Sequence, residues 1–264
     1  QGVAVSLTCR NISYAYNDSN VLHNISLDVP QGAFCALLGR NGSGKTTLLH
    51  CLCGILRPHQ GQISIAGEVV PLTNGPRRAR YMSLVPQEPG QVFPFTVLDM
   101  VLMGRNPYLR SYAQPGPEDE SLAWHALQLL QAEHLASKRV NQISGGERQL
   151  AIVARALAQQ TPVMLLDEPS NHLDFHNQYR LLYLIRNLCR EQELTVLASM
   201  HDPNTVAAVA DQVVLLEEGA ISAQGELEDM LTQERLSRLY GMPIAESRLI
   251  SGRKHFMPCL EPDA

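Results

Sequence analysis

Apolar and polar residues alternate along the first part of the chain. Over much of residues 3–29 apolar and polar side chains alternate, a period typical of a strand with one buried face. The apolar ones include Val5, Leu7, Leu22, Ile25 and Leu27. The alternation continues in residues 61–70, with a turn at Ala66-Gly67, and residues 81–85 form another short apolar run. These segments predict an antiparallel sheet near the N-terminus and one further strand.

Elsewhere the chain alternates short apolar runs with amphipathic stretches. The apolar runs, which are typical of strands buried on both faces, are residues 33–38, 163–166, 195–199 and 213–216. The stretches with helical periodicity are residues 46–56, 97–103, 118–136, 147–159 and 176–191. Helices that alternate with such strands predict an α/β fold with a parallel sheet covered on both faces. After Gly225 the pattern predicts a short helix over residues 226–240 and a last strand near residues 248–256.

Composition and charge narrow the class of protein. The length of 264 residues and the hydrophobic content of 45% suit one large domain with a sub-domain. The net charge of −5 gives no basic excess for nucleic-acid binding. No apolar run approaches the roughly 18 residues of a membrane-spanning helix, and the first residues lack a signal-peptide pattern. The six cysteines are scattered without a metal framework, so we expect buried, reduced thiols and a cytosolic protein.

Residues 39–46 carry the most specific chemical signal. They read Gly-Arg-Asn-Gly-Ser-Gly-Lys-Thr, between an apolar run and a predicted helix. In that context the sequence is a phosphate-binding loop, whose N–H groups point at one anion. Lys45 would place its charge on the β- and γ-phosphates of a nucleoside triphosphate, and Thr46 would offer its hydroxyl to Mg²⁺. The predicted nucleotide-binding residues are Gly39, Arg40, Asn41, Gly42, Ser43, Gly44, Lys45, Thr46 and the adjoining Thr47.

Two acids follow the apolar run at residues 163–166. Asp167 and Glu168 would lie at the carboxyl edge of a parallel sheet, where ligands bind. A phosphate-binding loop needs a carboxylate to hold Mg²⁺, and Asp167 fits this requirement. Glu168 is then placed to accept a proton from an attacking water.

A second glycine pair precedes the predicted helix at residues 147–159. Ser144 can cap that helix and Glu147 can complete a capping box. Gly145 and Gly146 leave N–H groups available to an anion. Because the first loop already wraps the phosphates of one nucleotide, this second element makes most sense if it serves the nucleotide of another molecule.

These motifs, in this order over nearly the whole chain, resemble the ATP-binding subunit of an ABC transporter. The resemblance implies ATP and Mg²⁺ as ligands. It implies that Gln87 contacts Mg²⁺ and the attacking water, and that His201 is the switch histidine near the γ-phosphate. Residues 144–147 would form the signature motif, which acts on ATP held by the partner subunit, and Asp174 would be the D-loop acid.

The resemblance leaves two points open. Tyr16 sits where the family stacks an aromatic ring on adenine, with Tyr14 as the competing candidate. The signature begins with Ile143 where Leu is usual and has Glu147 where Gln is frequent. Glutamate also occurs there in importers and still caps the helix, so we expect only a slightly weaker ATP affinity.

A metal site built from His172 and His176 is not expected. The two residues are four apart, but no third ligand is evident in the sequence.

The resemblance also implies the architecture. We expect a RecA-like parallel-sheet ATPase core with an N-terminal antiparallel β sub-domain and an inserted α-helical sub-domain. A single ABC domain would cover residues 1–264. The core with its β sub-domain would take about 1–85 and 160–225, the helical sub-domain about 88–158 and a C-terminal extension about 226–264.

The implied partners are a second copy, in a head-to-tail dimer that traps two ATP molecules, and a membrane permease. The chain would then act at the cytoplasmic face of the inner membrane, linked indirectly to a substrate-binding protein and not to nucleic acid. The permease would contact the surface of residues 87–110, although parts of this surface are expected to pack within the helical sub-domain. The prominent side chains of this surface are Phe93, Phe95, Met100, Met103, Pro107 and Tyr108.

The expected class of transporter is an importer. Residues 103–108, 169–174 and 225–240 resemble importer ATPases for iron–siderophore, haem, vitamin B12 or molybdate. The alternatives are the ATPase of an exporter, which is usually fused to its membrane domain, and a non-transport ABC ATPase.

Overall fold

The computed structural model describes residues 5–17, 19–72, 77–87, 94–110, 113–171, 173–250 and 252–259. Its strands are β1 (Val5–Tyr16), β2 (Ser19–Pro30), β3 (Phe34–Leu38), β4 (Gln60–Ile65), β5 (Glu68–Val70), β6 (Met82–Val85), β7 (Val163–Asp167), β8 (Thr195–Met200), β9 (Gln212–Glu217), β10 (Ala220–Glu226), β11 (Ile244–Arg248) and β12 (Lys254–Pro258). Its α-helices are α1 (Lys45–Cys53), α2 (Val97–Leu102), α3 (Pro117–Leu129), α4 (Gly145–Ala158), α5 (Phe175–Gln192), α6 (Pro203–Val209), α7 (Leu227–Met230) and α8 (Gln233–Tyr240).

The predicted antiparallel sheet is confirmed. Its strand order is β2-β1-β4-β5, with every neighbouring pair antiparallel. The alternating apolar side chains face inward, and Leu7, Ile25 and Ile63 are fully or almost fully buried. They pack with α1 against one face of the second sheet.

The second sheet carries the parallel strands in the order β10-β9-β3-β8-β7-β6, and only β10 runs antiparallel to its neighbour. Successive residues of β3 belong to two different cores: Leu37 faces α1, whereas Ala36 and Leu38 face the helices on the other side. The predicted α/β fold, with helices on both faces, is therefore confirmed. Leu38 lies opposite Met200 and Asp167 lies opposite Ser199, so the carboxyl ends of β3, β7 and β8 meet at one edge.

Helix α1 is anchored at its far end by a buried arginine. Arg78 is 1% exposed and donates to the carbonyl oxygens of Cys51 and Leu52, at 2.7 and 3.0 Å. A cation at a helix C-terminus compensates the last unpaired carbonyls and the negative end of the helix dipole. The helix that begins in the glycine-rich loop is thus fixed at its other end.

The helix predicted over residues 118–136 is shorter than expected. Helix α3 ends at Leu129, where Gln131 takes a φ of 55° and the Ala132 N–H donates to the Leu127 carbonyl. This break turns Ala132 and Leu135 into the core, where both are fully buried. Burial of these side chains outweighs the helical propensity of the segment.

The C-terminal segment also differs from the prediction. Residues 226–240 form two helices, α7 and α8, because Thr232 caps a new helix by accepting from the Arg235 N–H. The single strand predicted near residues 248–256 is a hairpin of β11 and β12. Strand β10 and helix α6 were not predicted.

The cysteines are free, as expected, but not all are buried. Cys9, Cys35, Cys51 and Cys189 are buried, Cys53 is half-buried and Cys259 is exposed.

Candidate active site

The glycine-rich loop adopts a backbone that only glycine tolerates at several positions. Gly42 and Gly44 have φ values of 80° and 102°. A Cβ on Gly44 would lie 2.9 Å from the Leu22 side chain, and one on Gly39 would lie 2.5 Å from the Leu216 carbonyl oxygen. Left-handed dihedrals and these close contacts both exclude larger residues. The loop therefore presents its backbone at the N-terminus of α1.

Lys45 places its ammonium inside this loop. Its Nζ donates to the carbonyl oxygens of Gly39 and Arg40, at 2.9 and 3.1 Å. The residue is 5% exposed, and burial lowers the pKa of Lys45, while the charges of Glu168 and Asp167 oppose that shift. Lys45 is therefore a buried cation near two acids. Two carbonyl oxygens accept its hydrogen bonds, and the oxygens of a bound anion can take their place.

Asp167 joins three elements at the edge of the parallel sheet. Its Oδ1 accepts from Thr46 Oγ1 at 3.1 Å and from Ser199 Oγ at 2.7 Å, and the residue is 1% exposed. Ser199 Oγ also accepts from the Glu168 N–H at 2.9 Å. One serine thus orients both acids. The sequence reasoning missed Ser199, which is recognisable only from the register of β7 and β8.

Glu168 lies just beyond β7 in a left-handed backbone conformation, with a φ of 47°. Its Oε2 accepts from Gln87 Nε2 at 3.0 Å and from Asn171 Nδ2. Backbone outliers of this kind are enriched at functional sites. Asn171, which the sequence reasoning also missed, follows Glu168 by three residues, so a turn could have suggested it.

A cleft of about 700 Å³ lies beside these residues, and Asp167 and Ser199 are buried behind its lining. Its lining residues are Val21, Asn41, Gly42, Gly44, Lys45, Thr46, Thr47, Gln87, Glu168, Asn171 and His201. His201 directly follows the last residue of β8 and is exposed. The structure thus brings together the phosphate-binding loop, the glutamate after β7, the glutamine after β6 and the histidine after β8.

The oxygen donors at the cleft suit a hard divalent cation. Thr46 and Gln87, which line the cleft, offer a hydroxyl and an amide oxygen. Asp167, which does not line the cleft but accepts a hydrogen bond from Thr46, offers a carboxylate. Mg²⁺ prefers ligands of these types. Ser43 Oγ is buried and makes no hydrogen bond among the described residues, so a further donor is available at the loop. Among all the residues that the structure describes, no cluster of three or more His, Cys, Asp or Glu residues could bind a metal. His172 lies outside the described residues.

The second glycine pair lies outside this cleft. Ser144 caps α4 by accepting from the Glu147 N–H at 3.2 Å, and Glu147 Oε2 accepts from the Ser144 N–H at 2.8 Å. The hydrogen bond from the Ser144 N–H lowers the pKa of Glu147. The Ser144 side chain and Lys138 lower it further, with smaller effects. The predicted capping box is therefore present. None of residues 144–147 lines the cleft at the phosphate-binding loop.

Asp174 lies close to the second glycine pair. It caps α5 and accepts from the Asn177 N–H at 2.8 Å, which lowers the pKa of Asp174. Asn177 in turn approaches Gly146, where a Cβ would lie 3.2 Å from its Nδ2. The N-termini of α4 and α5 therefore form one surface away from the cleft.

The two candidate tyrosines differ in their surroundings. Tyr14 stacks on His59, with ring centroids 5.6 Å apart, and meets Tyr16 edge-on at 4.9 Å. Tyr16 is 47% exposed, whereas Tyr14 is half-buried. Neither ring lines the cleft, so the assignment of Tyr16 to the adenine stays a prediction.

A comparison with protein families decides the class of protein. The family model described as ABC transporter matches residues 22–171, which is more than half of the chain. The chain belongs to the ABC transporter family. It is therefore an ATP-binding cassette.

Relatives of this ABC chain include importer subunits. The molybdate import ATP-binding protein of Haemophilus influenzae is 36% identical over 257 residues, covering 96% of each chain. An inward-facing ABC transporter provisionally assigned to the metal-chelate type contains a chain with 35% identity and a TM-score of 0.85, covering 97% of this chain and 98% of that one. A bacterial ABC transporter cassette solved as a dimer has 26% identity and a TM-score of 0.72, covering 84% and 98%.

Within the described residues of this ABC chain, no helix combines the length and the apolar character needed to cross a bilayer.

Proposed function

We propose that this chain is the ATP-hydrolysing subunit of an ABC importer and works in pairs on a membrane permease. The observation that carries the proposal is the hydrogen bond of 3.0 Å between Gln87 and Glu168 at the cleft that Lys45 and Thr46 line. A carboxylate held beside a phosphate-binding loop is placed to accept a proton from an attacking water. His201, on the same cleft, is the candidate contact to the γ-phosphate.

Mg²⁺ is the proposed metal cofactor, held by Thr46, Asp167 and Gln87. When bound, the ion would neutralise charge on the β- and γ-phosphates. The chain prepares these ligands itself: Thr46 Oγ1 donates to Asp167 Oδ1 at 3.1 Å, and Ser199 fixes the same oxygen. Positioning and charge neutralisation are the main catalytic contributions expected of such a site.

The proposed working unit is a head-to-tail dimer. The signature segment, residues 144–147, presents the N-terminus of α4 and the D-loop acid Asp174 lies beside it, yet both are outside the cleft of their own chain. A helix N-terminus is an anion-binding element. A second copy would bring this surface to the γ-phosphate side of the first copy's ATP. The relative solved as a dimer supports the pairing of two copies.

The proposed cargo is a metal chelate, such as an iron–siderophore, haem or vitamin B12, or else molybdate. The names of the relatives support molybdate and a metal chelate among these cargoes. The chain would act at the cytoplasmic face of the inner membrane, with a substrate-binding protein as an indirect partner.

The proposed permease contact is the surface of residues 87–110. Phe95 and Met103 are exposed there, at 46% and 37%. Tyr108, by contrast, is held between Arg80 and Arg105, whose guanidinium groups lie 5.2 and 4.2 Å from its ring centroid. That part of the surface is packing within the chain. Phe93 lies outside the described residues.

Replacing Glu147 by glutamine is expected to lower the KM for ATP by about twofold, because an exposed charge interacts weakly with a phosphate. Glutamine can still close the capping box. The measurement is steady-state ATP hydrolysis over a range of ATP concentrations. Glu118→Gln, which changes an acid in the first turn of α3, is the matched control. An unchanged KM would mean that the charge of Glu147 does not reach the phosphates.

The importer proposal is tested by isolating the tagged chain from detergent-solubilised native membranes. We expect a polytopic membrane protein in equal amount, and a substrate-binding protein that joins when its ligand is added. Recovery with ribosomes, with DNA or without any membrane protein would contradict the proposal. A permease accompanied by no binding protein and by outward transport in vesicles would identify an exporter instead.

A further inference from the structure

The loop that carries His201 accepts a hydrogen bond from a residue that does not line the nucleotide cleft. Tyr240, the last residue of α8, donates its hydroxyl to the backbone carbonyl of His201 at 2.6 Å. Burial raises the pKa of Tyr240, with a further contribution from Asp202, so the phenol remains a donor throughout the neutral range. The C-terminal segment thus contacts the main chain of the residue proposed to sense the γ-phosphate.

A second bond ties the same region to the C-terminal hairpin. Asn204, three residues after His201, donates Nδ2 to the Phe256 carbonyl at 3.0 Å and accepts the Phe256 N–H at 2.8 Å. The side-chain amide therefore pairs with the free edge of β12 as a neighbouring strand would. Phe256 is 3% exposed, so both of its backbone groups need these partners.

Hydrogen bonds attach the hairpin to the rest of the C-terminal segment. Lys254 donates Nζ to the carbonyl oxygens of Glu228 and Leu231, at 2.7 and 2.8 Å, and its side chain is 8% exposed. Ser237 on α8 accepts from the Ile244 N–H at 3.0 Å where β11 begins. These bonds therefore connect Tyr240 on α8 with Phe256 on β12 through α7, α8 and the hairpin.

The helix that follows the loop, α6, also holds it in place. Asp202 caps α6 by accepting from the N–H groups of Asn204 and Thr205, each at 3.1 Å. These bonds determine where α6 begins, but they do not involve the His201 backbone. The hydrogen bond from Tyr240 acts directly on the peptide that carries the imidazole.

We infer that Tyr240 is a positioning residue for His201: its hydroxyl, supported by the Asn204 bond to the hairpin, holds the His201 backbone so that the imidazole stays at the nucleotide cleft. This inference rests on the proposed role of His201 in hydrolysis. The direction of a side chain follows its backbone, and loops beyond strand ends are the segments with most freedom. Without the hydroxyl, the loop would populate conformers in which His201 does not meet the γ-phosphate, and the competent fraction would fall.

Tyr240→Phe removes only the hydroxyl and is the decisive variant. The matched control is Tyr183→Phe, because Tyr183 also contacts the hairpin through its hydroxyl, accepting from Arg253 Nη1 at 2.9 Å, and among the described residues that hydroxyl makes no hydrogen bond to His201. A neutral hydrogen bond of ordinary strength gives an expected drop in kcat of about three- to tenfold for Tyr240→Phe. The KM for ATP and the melting temperature should match those of the control.

The measurements use the full chain with Mg²⁺ and ATP, together with a His201→Ala variant as reference. A loss of kcat in Tyr240→Phe but not in Tyr183→Phe, at equal melting temperature, supports the inference. Equal kcat in the two tyrosine variants, or a loss that parallels a lower melting temperature, would overturn it and leave the role of His201 intact. Full turnover by His201→Ala would instead remove His201 from the mechanism, and the inference with it.

Discussion

Replacing Glu168 by glutamine is expected to stop ATP turnover while ATP binding persists. The change keeps the size of the side chain but removes the group proposed to accept a proton from the attacking water. General-base catalysis typically contributes about 10²- to 10⁴-fold, so we expect kcat to fall by at least about a hundredfold. Phosphate release measures turnover, and equilibrium titration with a fluorescent ATP analogue measures binding.

The Glu168→Gln variant should also accumulate as an ATP-bound dimer. If binding closes two copies and hydrolysis reopens them, a variant that binds without hydrolysing stays closed, which light scattering coupled to size exclusion would detect. Glu193→Gln is a close control. Glu193 also has a left-handed backbone, with a φ of 55°, and also accepts from a glutamine, Gln31 Nε2, at 3.0 Å. Rapid turnover by Glu168→Gln would remove Glu168 from the role of base.

Side chains within one motif were predictable from the sequence, whereas those that join two strands were not. Lys45 and Thr46 follow from the glycine pattern that shapes their loop, and Asp167 follows from its place after an apolar run. Ser199 contacts Asp167 across the sheet only because β7 and β8 align these two residues. A single sequence predicts neighbouring parallel strands but not their register, because the backbone bonds of a parallel pair are evenly spaced along the strands.

Contacts made by the C-terminal segment were beyond prediction for a related reason. Tyr240 is separated from His201 by 39 positions, and its hydroxyl partner is a backbone carbonyl, which has no signature in the sequence. The periodicity of residues 226–240 indicated helix but gave no reason to divide it. The division at Thr232 depends on a side-chain cap and on the burial of Leu231, which is fully buried. Tertiary packing decided these boundaries, and local propensity did not.

Lys45→Met is expected to weaken ATP binding by at least about a hundredfold and to lower kcat as well. Lys45 is 5% exposed, so its charge lies in surroundings where it interacts more strongly than it does in water. Methionine has a similar length and no charge, so the phosphates would lose their closest cation. The same change should leave the melting temperature without nucleotide nearly unaltered. Burial disfavours the ammonium, and its removal offsets the loss of two hydrogen bonds to loop carbonyls.

These two expectations separate a failure of binding from a failure of folding. A glycine loop that needed the ammonium for its own shape would unfold or loosen in Lys45→Met, and the melting temperature would fall with the affinity. A loop shaped by its glycines keeps its shape, because the contacts of Gly39 and Gly44 with Leu216 and Leu22 do not involve the lysine. Calorimetric titration with ATP and a thermal melt of the same sample measure both quantities. Unchanged ATP affinity at an unchanged melting temperature would place the phosphates away from Lys45 and contradict the proposed nucleotide site.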